Sequence, residues 1–234
     1  MKAPAGSAAR SYRVVALGDS APAGFSCDCS SFVRLYALHI LQDTGVAATA
    51  TNDAEPSALS GDDLAQLQGS SDVARAVARA DFVVVNVGAN DFAQDRVGYE
   101  QGACGGADHL GCFRPQLPRM HDNLVGILQR VRSLVGARPV ALRVVDYWNV
   151  FEDGDVGRAN GDAFVRDSDR LTRLVDDQIC AAAHSQGAVC VRTYAAFKGG
   201  DRGDRDATAL LASDGDHPNA AGHRLITRLV AAAG

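Results

Sequence analysis

Apolar residues fall along the chain in two rhythms. Short unbroken runs alternate with stretches where apolar side chains recur every three or four positions. Tyr12–Leu17 (YRVVAL), Phe82–Val87 (FVVVNV), Val140–Val145 and Ala188–Thr193 are runs of the first kind and predict strands buried on both faces. Val46–Thr51 is a weaker strand. Ser30–Asp43 carries Phe32, Leu35, Tyr36 and Ile40 near helical spacing behind Ser30 or Ser31 as a cap. Asp62–Arg79 predicts a helix broken near Gly69-Ser70-Ser71. Gln116–Val135 sets Leu117, Met120, Leu124, Ile127, Leu128 and Val131 on one face. Asp162–Ser185 and Asn219–Ala233 are the last two helices. Ala93–Pro115 and Asp146–Gly161 read as long loops, the kind that often carries function.

Five strands alternating with helices predict an α/β fold: a mostly parallel five-stranded sheet covered on both faces, in a flavodoxin-like three-layer α/β/α sandwich. Residues 12–234 are expected to form one domain, after a disordered or extended N-terminus over residues 1–11. In such sheets the ligand sits beyond the carboxyl ends of the strands, where the strand order reverses. Chemistry is therefore expected just after each strand.

Composition narrows the function. The net charge is −5 and the pI about 5.6, which speaks against general nucleic-acid binding. No apolar run reaches the ~20 residues of a membrane span, and Met1–Arg10 holds no apolar stretch of the signal-peptide kind. The six cysteines fall in local pairs, Cys27 with Cys29, Cys104 with Cys112 and Cys180 with Cys190, which predicts disulfides. If they are paired and the start is a processed one, the protein is expected to be secreted; otherwise it is cytoplasmic. Cys104, His109 and Cys112 could begin a zinc site but lack an obvious fourth ligand. The run Glu152-Asp153-Gly154-Asp155 lacks the spacing of a calcium loop and reads as a solvated turn. His39, His109, His121, His184 and His223 read as ordinary surface or partly buried side chains.

Three blocks stand at the expected places. Gly18-Asp19-Ser20 follows the first strand, and Gly88-Ala89-Asn90-Asp91 follows Phe82–Val87. Asp214-Gly215-Asp216-His217-Pro218-Asn219 precedes the last helix. A serine hydroxyl is a weak nucleophile until a base takes its proton, and a histidine suits that task near neutral pH. The histidine needs an acid to fix its tautomer. Asp214, three positions before His217, can reach Nδ1 through a tight turn. Asp216 is the alternative, with a side chain expected to turn away. The Asn90 amide and the Ser20 N–H are candidate oxyanion donors. Tyr147 and Trp148, after the fourth strand, serve the core or a substrate-binding wall.

From Val14 to His217 these blocks resemble blocks I, III and V of the SGNH (GDSL-type) serine hydrolase superfamily. The resemblance implies the SGNH hydrolase fold and an esterase, with Ser20, Asp214 and His217 as triad and Asn90 in the oxyanion hole. It implies Gly88 as the tight-turn residue and no cofactor or metal. Two blocks depart from the family pattern. Ala21 stands where a larger apolar residue is usual. The glycine that usually follows the second strand is Ser57 if Asn52 and Pro56 are aligned with block II, or Gly61 if the block is Ser60-Gly61-Asp62; Gly61 is the donor expected. The substrate would be a small-molecule or lipid-like ester, and the protein a monomer. An acyltransferase or a carbohydrate deacetylase would use the same residues. A non-catalytic binding protein would not need them. A nucleotide-binding α/β protein is disfavoured, because neither G-x-G-x-x-G nor a Walker A motif follows the first strand.

Overall fold

A computed structural model describes residues 11–69, 71–200, 203 and 205–233. The expected extended N-terminus over residues 1–11 lies, but for Ser11, outside the described residues. The strands are β1 (Tyr12–Gly18), β2 (Ala48–Asn52), β3 (Phe82–Asn86), β4 (Ala141–Val145) and β5 (Val189–Val191). The helices are α1 (Ser20–Ala23), α2 (Phe32–Thr44), α3 (Ser60–Gln66), α4 (Asp72–Val77), α5 (Arg96–Glu100), α6 (Gln116–Val135), α7 (Gly154–Ala159), α8 (Asp162–Ser185), α9 (Tyr194–Lys198) and α10 (Ala220–Ala232). The sheet order is β2-β1-β3-β4-β5 and every pairing is parallel.

Alternation along the strands divides the core in two. Val15, Leu17, Val83, Val85, Leu142 and Val144 face α6 and α8, where Met120, Leu124, Leu128, Leu171, Val175 and Ile179 are buried against them. Val14, Ala16, Val84, Val145 and Val191 face α2 and α10 through Phe32, Tyr36, Ile40, Ile226 and Val230. Each fully buried aliphatic side chain of this kind stabilises the fold by about 1.5–3 kcal/mol before the ordering entropy is subtracted. Arg143 breaks the apolar alternation of β4. Its guanidinium lies over the Tyr36 and Phe82 rings, and its Nε donates to the Ala233 carbonyl at 3.0 Å. β2 is the exposed edge strand, which explains its faint hydrophobic signal.

The helix expected over Asp62–Arg79 is two helices, α3 and α4, parted around Gly69; Ser70 is outside the described residues. The two expected loops are also shorter than they read. Ala89–Asp95 is a 3-10 turn continued by α5, and α7 interrupts the second loop. Asp153 is buried rather than solvated. It caps α7 and pairs with the buried Lys198 ammonium, a partner 45 positions away in sequence. All six cysteines are bonded in the expected pairs. The Cys104–Cys112 bridge occupies both sulfurs, so the zinc reading of that loop fails. Among the described residues no helix is long and apolar enough to cross a membrane. The three disulfides are compatible with an extracellular protein.

Candidate active site

The β1–β3 edge is built around a close approach. A Cβ on Gly18 would stand 2.1 Å from the Asn86 carbonyl oxygen, and Gly18 has a φ of +144°, so only glycine fits. The chain then turns sharply into α1. Asp19 caps that helix, accepting from Ala21 N–H at 3.3 Å. Ser20 is its first residue, and its own N–H has no intrahelical acceptor. Gly88 after β3 works in the same way: φ is +137°, and a Cβ would press to 2.7 Å from Met120 Sδ. Asn90 therefore emerges beside Ser20.

The third segment arrives as a tight turn. Ala212 N–H donates to the His217 carbonyl at 2.7 Å, and Leu211 bridges Pro218. Neighbouring loops anchor the turn. Asp153 N–H and Asn149 Nδ2 donate to the Gly215 carbonyl at 2.7 and 3.1 Å, and Trp148 Nε1 donates to the Asp216 carbonyl at 2.8 Å. Asn219 caps α10 through Ala221 N–H and Gly222 N–H. His217 is thereby fixed 197 positions from Ser20 in sequence, with Nε2 2.8 Å from Ser20 Oγ. Its Nδ1 lies 2.9 Å from Asp214 Oδ2. A carboxylate at Nδ1 fixes the proton there, so Nε2 is the acceptor and the Ser20 hydroxyl the donor.

Asp214 is held as an anion. Partial burial raises its pKa, but hydrogen bonds from the Ser26 side chain, Asp216 N–H, His217 N–H and the His217 ring outweigh that and hold it at about 2. Asp216, expected to turn away, keeps Oδ2 3.8 Å from the same Nδ1. It is a secondary charge beside the ring rather than a remote one.

The segment after β2 completes the cleft. Asp53 N–H and Glu55 N–H donate to the carbonyls of Ala16 and Gly18 at 3.0 and 2.9 Å, which presses the loop against the end of β1. Ser57 adopts φ +69°, a left-handed conformation unusual for serine. Asn90 Nδ2 donates one hydrogen to the Ala58 carbonyl at 3.1 Å, which aims the amide and leaves its second hydrogen for the cleft. Asp91 clamps the same loop, accepting from Ser60 N–H at 2.9 Å and Ser60 Oγ–H at 2.6 Å.

Ser20, Ser57, Asn90, Tyr147, Trp148 and His217 line one cavity of ≈ 150 Å³. Gly61, the donor expected from sequence, does not line it. It sits in the first turn of α3 and faces a separate groove. The physical reason is the hydrogen-bonded turn over residues 55–58, which brings the chain to the cleft four residues earlier than glycine content suggests.

Tyr147 and Trp148 line the cleft yet are almost wholly buried, with 3% and 2% of their surface exposed. Tyr147 OH donates to Asp19, and Trp148 stacks on Phe197. They are walls that also brace the loops carrying Ser20 and His217. Phe25 carried no sequence signal. It is half exposed, and its ring meets the His217 ring edge-on at 5.0 Å. Asp19 and Asp63, also unsignalled, are buried acids behind Ser20. Burial pushes each up to about 7. Neither Asp63 oxygen has a partner of hydrogen-bonding geometry, and the Gly18 N–H only tempers the rise.

The family model of the GDSL-like lipase/acylhydrolases matches residues 16–225. No curated protein matches the sequence significantly. Among solved structures, a lipase from a goat rumen metagenome is 21% identical with a TM-score of 0.74, over 96% of this chain and 98% of its own. An acetyl-xylooligosaccharide esterase from Geobacillus is 16% identical with a TM-score of 0.61, over 94% of each chain. The psychrotrophic esterase EstA from Pseudoalteromonas sp. is 15% identical with a TM-score of 0.58, over 94% of this chain and 95% of its own. At these identities the likeness is one of fold.

Proposed function

Since the chain belongs to the GDSL-like lipase/acylhydrolase family, we propose that it is a serine esterase working through an acyl-enzyme on Ser20. The observation that carries this reading is the continuous pair of contacts, Ser20 Oγ to His217 Nε2 at 2.8 Å and His217 Nδ1 to Asp214 Oδ2 at 2.9 Å. His217 Nε2 takes the hydroxyl proton as Ser20 Oγ attacks the ester carbonyl. The imidazolium that forms is stabilised by Asp214, already ionised.

The developing oxyanion is received by Ser20 N–H, the free hydrogen of Asn90 Nδ2 and the Ser57 N–H, which has no acceptor among the described residues. Each donor of this kind is worth about 10²–10³ in rate. His217 passes its proton to the leaving alcohol as the carbon–oxygen bond breaks. Water then repeats the sequence against the acyl-enzyme, with His217 as base, and frees the acid.

Ser20→Ala is expected to lower hydrolysis of p-nitrophenyl acetate by several orders of magnitude, up to about 10⁶. A rate equal to that of the unaltered protein would remove the assignment.

A further inference from the structure

We propose that the groove beyond Asn90 binds the acyl half of the substrate, and that Arg119 selects acyl groups ending in a carboxylate. The inference rests on the esterase reading above. The groove, of ≈ 460 Å³, has Ser57 and Asn90 as walls in common with the Ser20 cavity, so the two lie side by side along those residues. His217 and Phe25 line the cavity but not the groove. His217 must hand its proton to the leaving oxygen, so the alcohol half lies on the His217 and Phe25 side. The acyl half then runs the other way, past the oxyanion donors and into the groove.

The walls change character along that path. Next to the donors stand Leu59, 43% exposed, and Ala93, which offer apolar contact to a short methylene chain. Farther on are side chains from the first turn of α6. Two amides of α6 each give one hydrogen to the protein itself, Asn123 Nδ2 to Ser60 Oγ at 2.9 Å and Gln116 Nε2 to Asp95 Oδ2 at 2.9 Å. Both Asp91 oxygens are taken by Ser60.

Arg119 differs. It is exposed, and its hydrogen bond is a single 3.4 Å contact to Gln116 Oε1. No carboxylate of the described residues lies within ion-pair distance of it. Arg96, Arg158 and Arg173, by contrast, each have acidic partners. A guanidinium with most of its donors free, at the N-terminal end of a 20-residue helix whose dipole is positive there, is a carboxylate receptor. A methylene strip leading from the ester to that cation fits the half-ester of a dicarboxylic acid.

The test compares kcat/KM for the mono-p-nitrophenyl esters of glutaric and adipic acid with that for p-nitrophenyl hexanoate, in the unaltered protein, Arg119→Ala, Arg119→Lys and Arg119→Glu. The unaltered protein is expected to prefer the charged esters about two- to fivefold, the scale of a solvent-screened ion pair. Arg119→Ala brings the ratio to about one, Arg119→Glu below one, and Arg119→Lys recovers part of it. The preference shrinks as salt is raised. A ratio near one in the unaltered protein, or a ratio unmoved by Arg119→Glu, overturns the role of Arg119 while leaving the esterase reading intact. Failure to turn over any ester, charged or neutral, overturns the esterase reading and this inference with it.

Discussion

On one side of Ser20 stands Asp214, on the other Asp19 and Asp63, and the fold treats these carboxyl groups in opposite ways. Asp214 is at the rim of the cleft, where burial is partial and four hydrogen bonds converge on it; its pKa falls to about 2. Asp19 is 1% exposed and accepts from Tyr147 OH and Ala21 N–H alone, so burial wins and its pKa rises to about 7. Asp63 is fully buried with no true partner and rises as far. The difference is one of donors available to each oxygen, not of distance from the histidine alone. The turn over residues 214–217 keeps an anion at Nδ1 by turning backbone amides on the carboxylate, which is what the proposed triad requires. The acids behind Ser20 shape the elbow and tend towards the neutral form.

The sharpest way to break this contrast is to neutralise each acid in turn. Asp214→Asn is expected to lower kcat by about 10⁴, the scale seen when a triad histidine loses its tautomer control. Asp216→Asn, removing a charge 3.8 Å away, is expected to cost less than tenfold. Steady-state kinetics on p-nitrophenyl acetate reads both, and the reverse order would make Asp216 the triad acid.

Asp63→Asn tests the other side through stability. A carboxyl whose pKa is raised by folding gives stability that is fully present below about pH 4 and is lost as pH rises towards 7. The variant should therefore gain on the unaltered protein as pH climbs through that window, reaching on the order of 2 kcal/mol at pH 8 in urea unfolding. A difference independent of pH would show that Asp63 does not titrate there. Asp214 has the opposite sign: its contribution is present above pH 4 and is lost as pH falls through about 2.

Tyr147→Phe removes one of the two donors to Asp19 and should cost about 1–2 kcal/mol of stability, since a buried acid loses a hydrogen bond. The smallest effect is expected from the Cys27–Cys29 bridge. Its loop presents Phe25 to the His217 ring and the Ser26 side chain to Asp214. Replacing both cysteines by serine should lower kcat/KM about threefold, with the ester-hydrolysing chemistry retained.

Much of this arrangement was legible in the sequence because it follows from local pattern. The Phe82–Val87 run could only be a strand buried on both faces, and the apolar stripe of Gln116–Val135 matches α6 end to end. Ser20 and Asn90 follow β1 and β3, neighbours in the parallel sheet, so that order was enough to set them side by side, whereas His217 reaches Ser20 from the turn before α10. What the pattern missed is set by tertiary contact. Asp153 reads as part of a solvated turn until Lys198 folds against it. Ser57 and Gly61 read as rival claimants to the block after β2 until the bonds to the end of β1 and the positive φ of Ser57 set the loop against the cleft. The short helices α1, α5, α7 and α9 are each four to six residues long, too short to show a periodicity.

The central claim is that Ser20 is an activated nucleophile, and a fluorophosphonate tests it most directly. Peptide mass spectrometry of the treated protein should find one adduct, on Ser20, formed in step with loss of esterase activity and no longer forming in His217→Ala. Continued hydrolysis without an adduct, or an inactivating adduct on any other residue, would contradict the account.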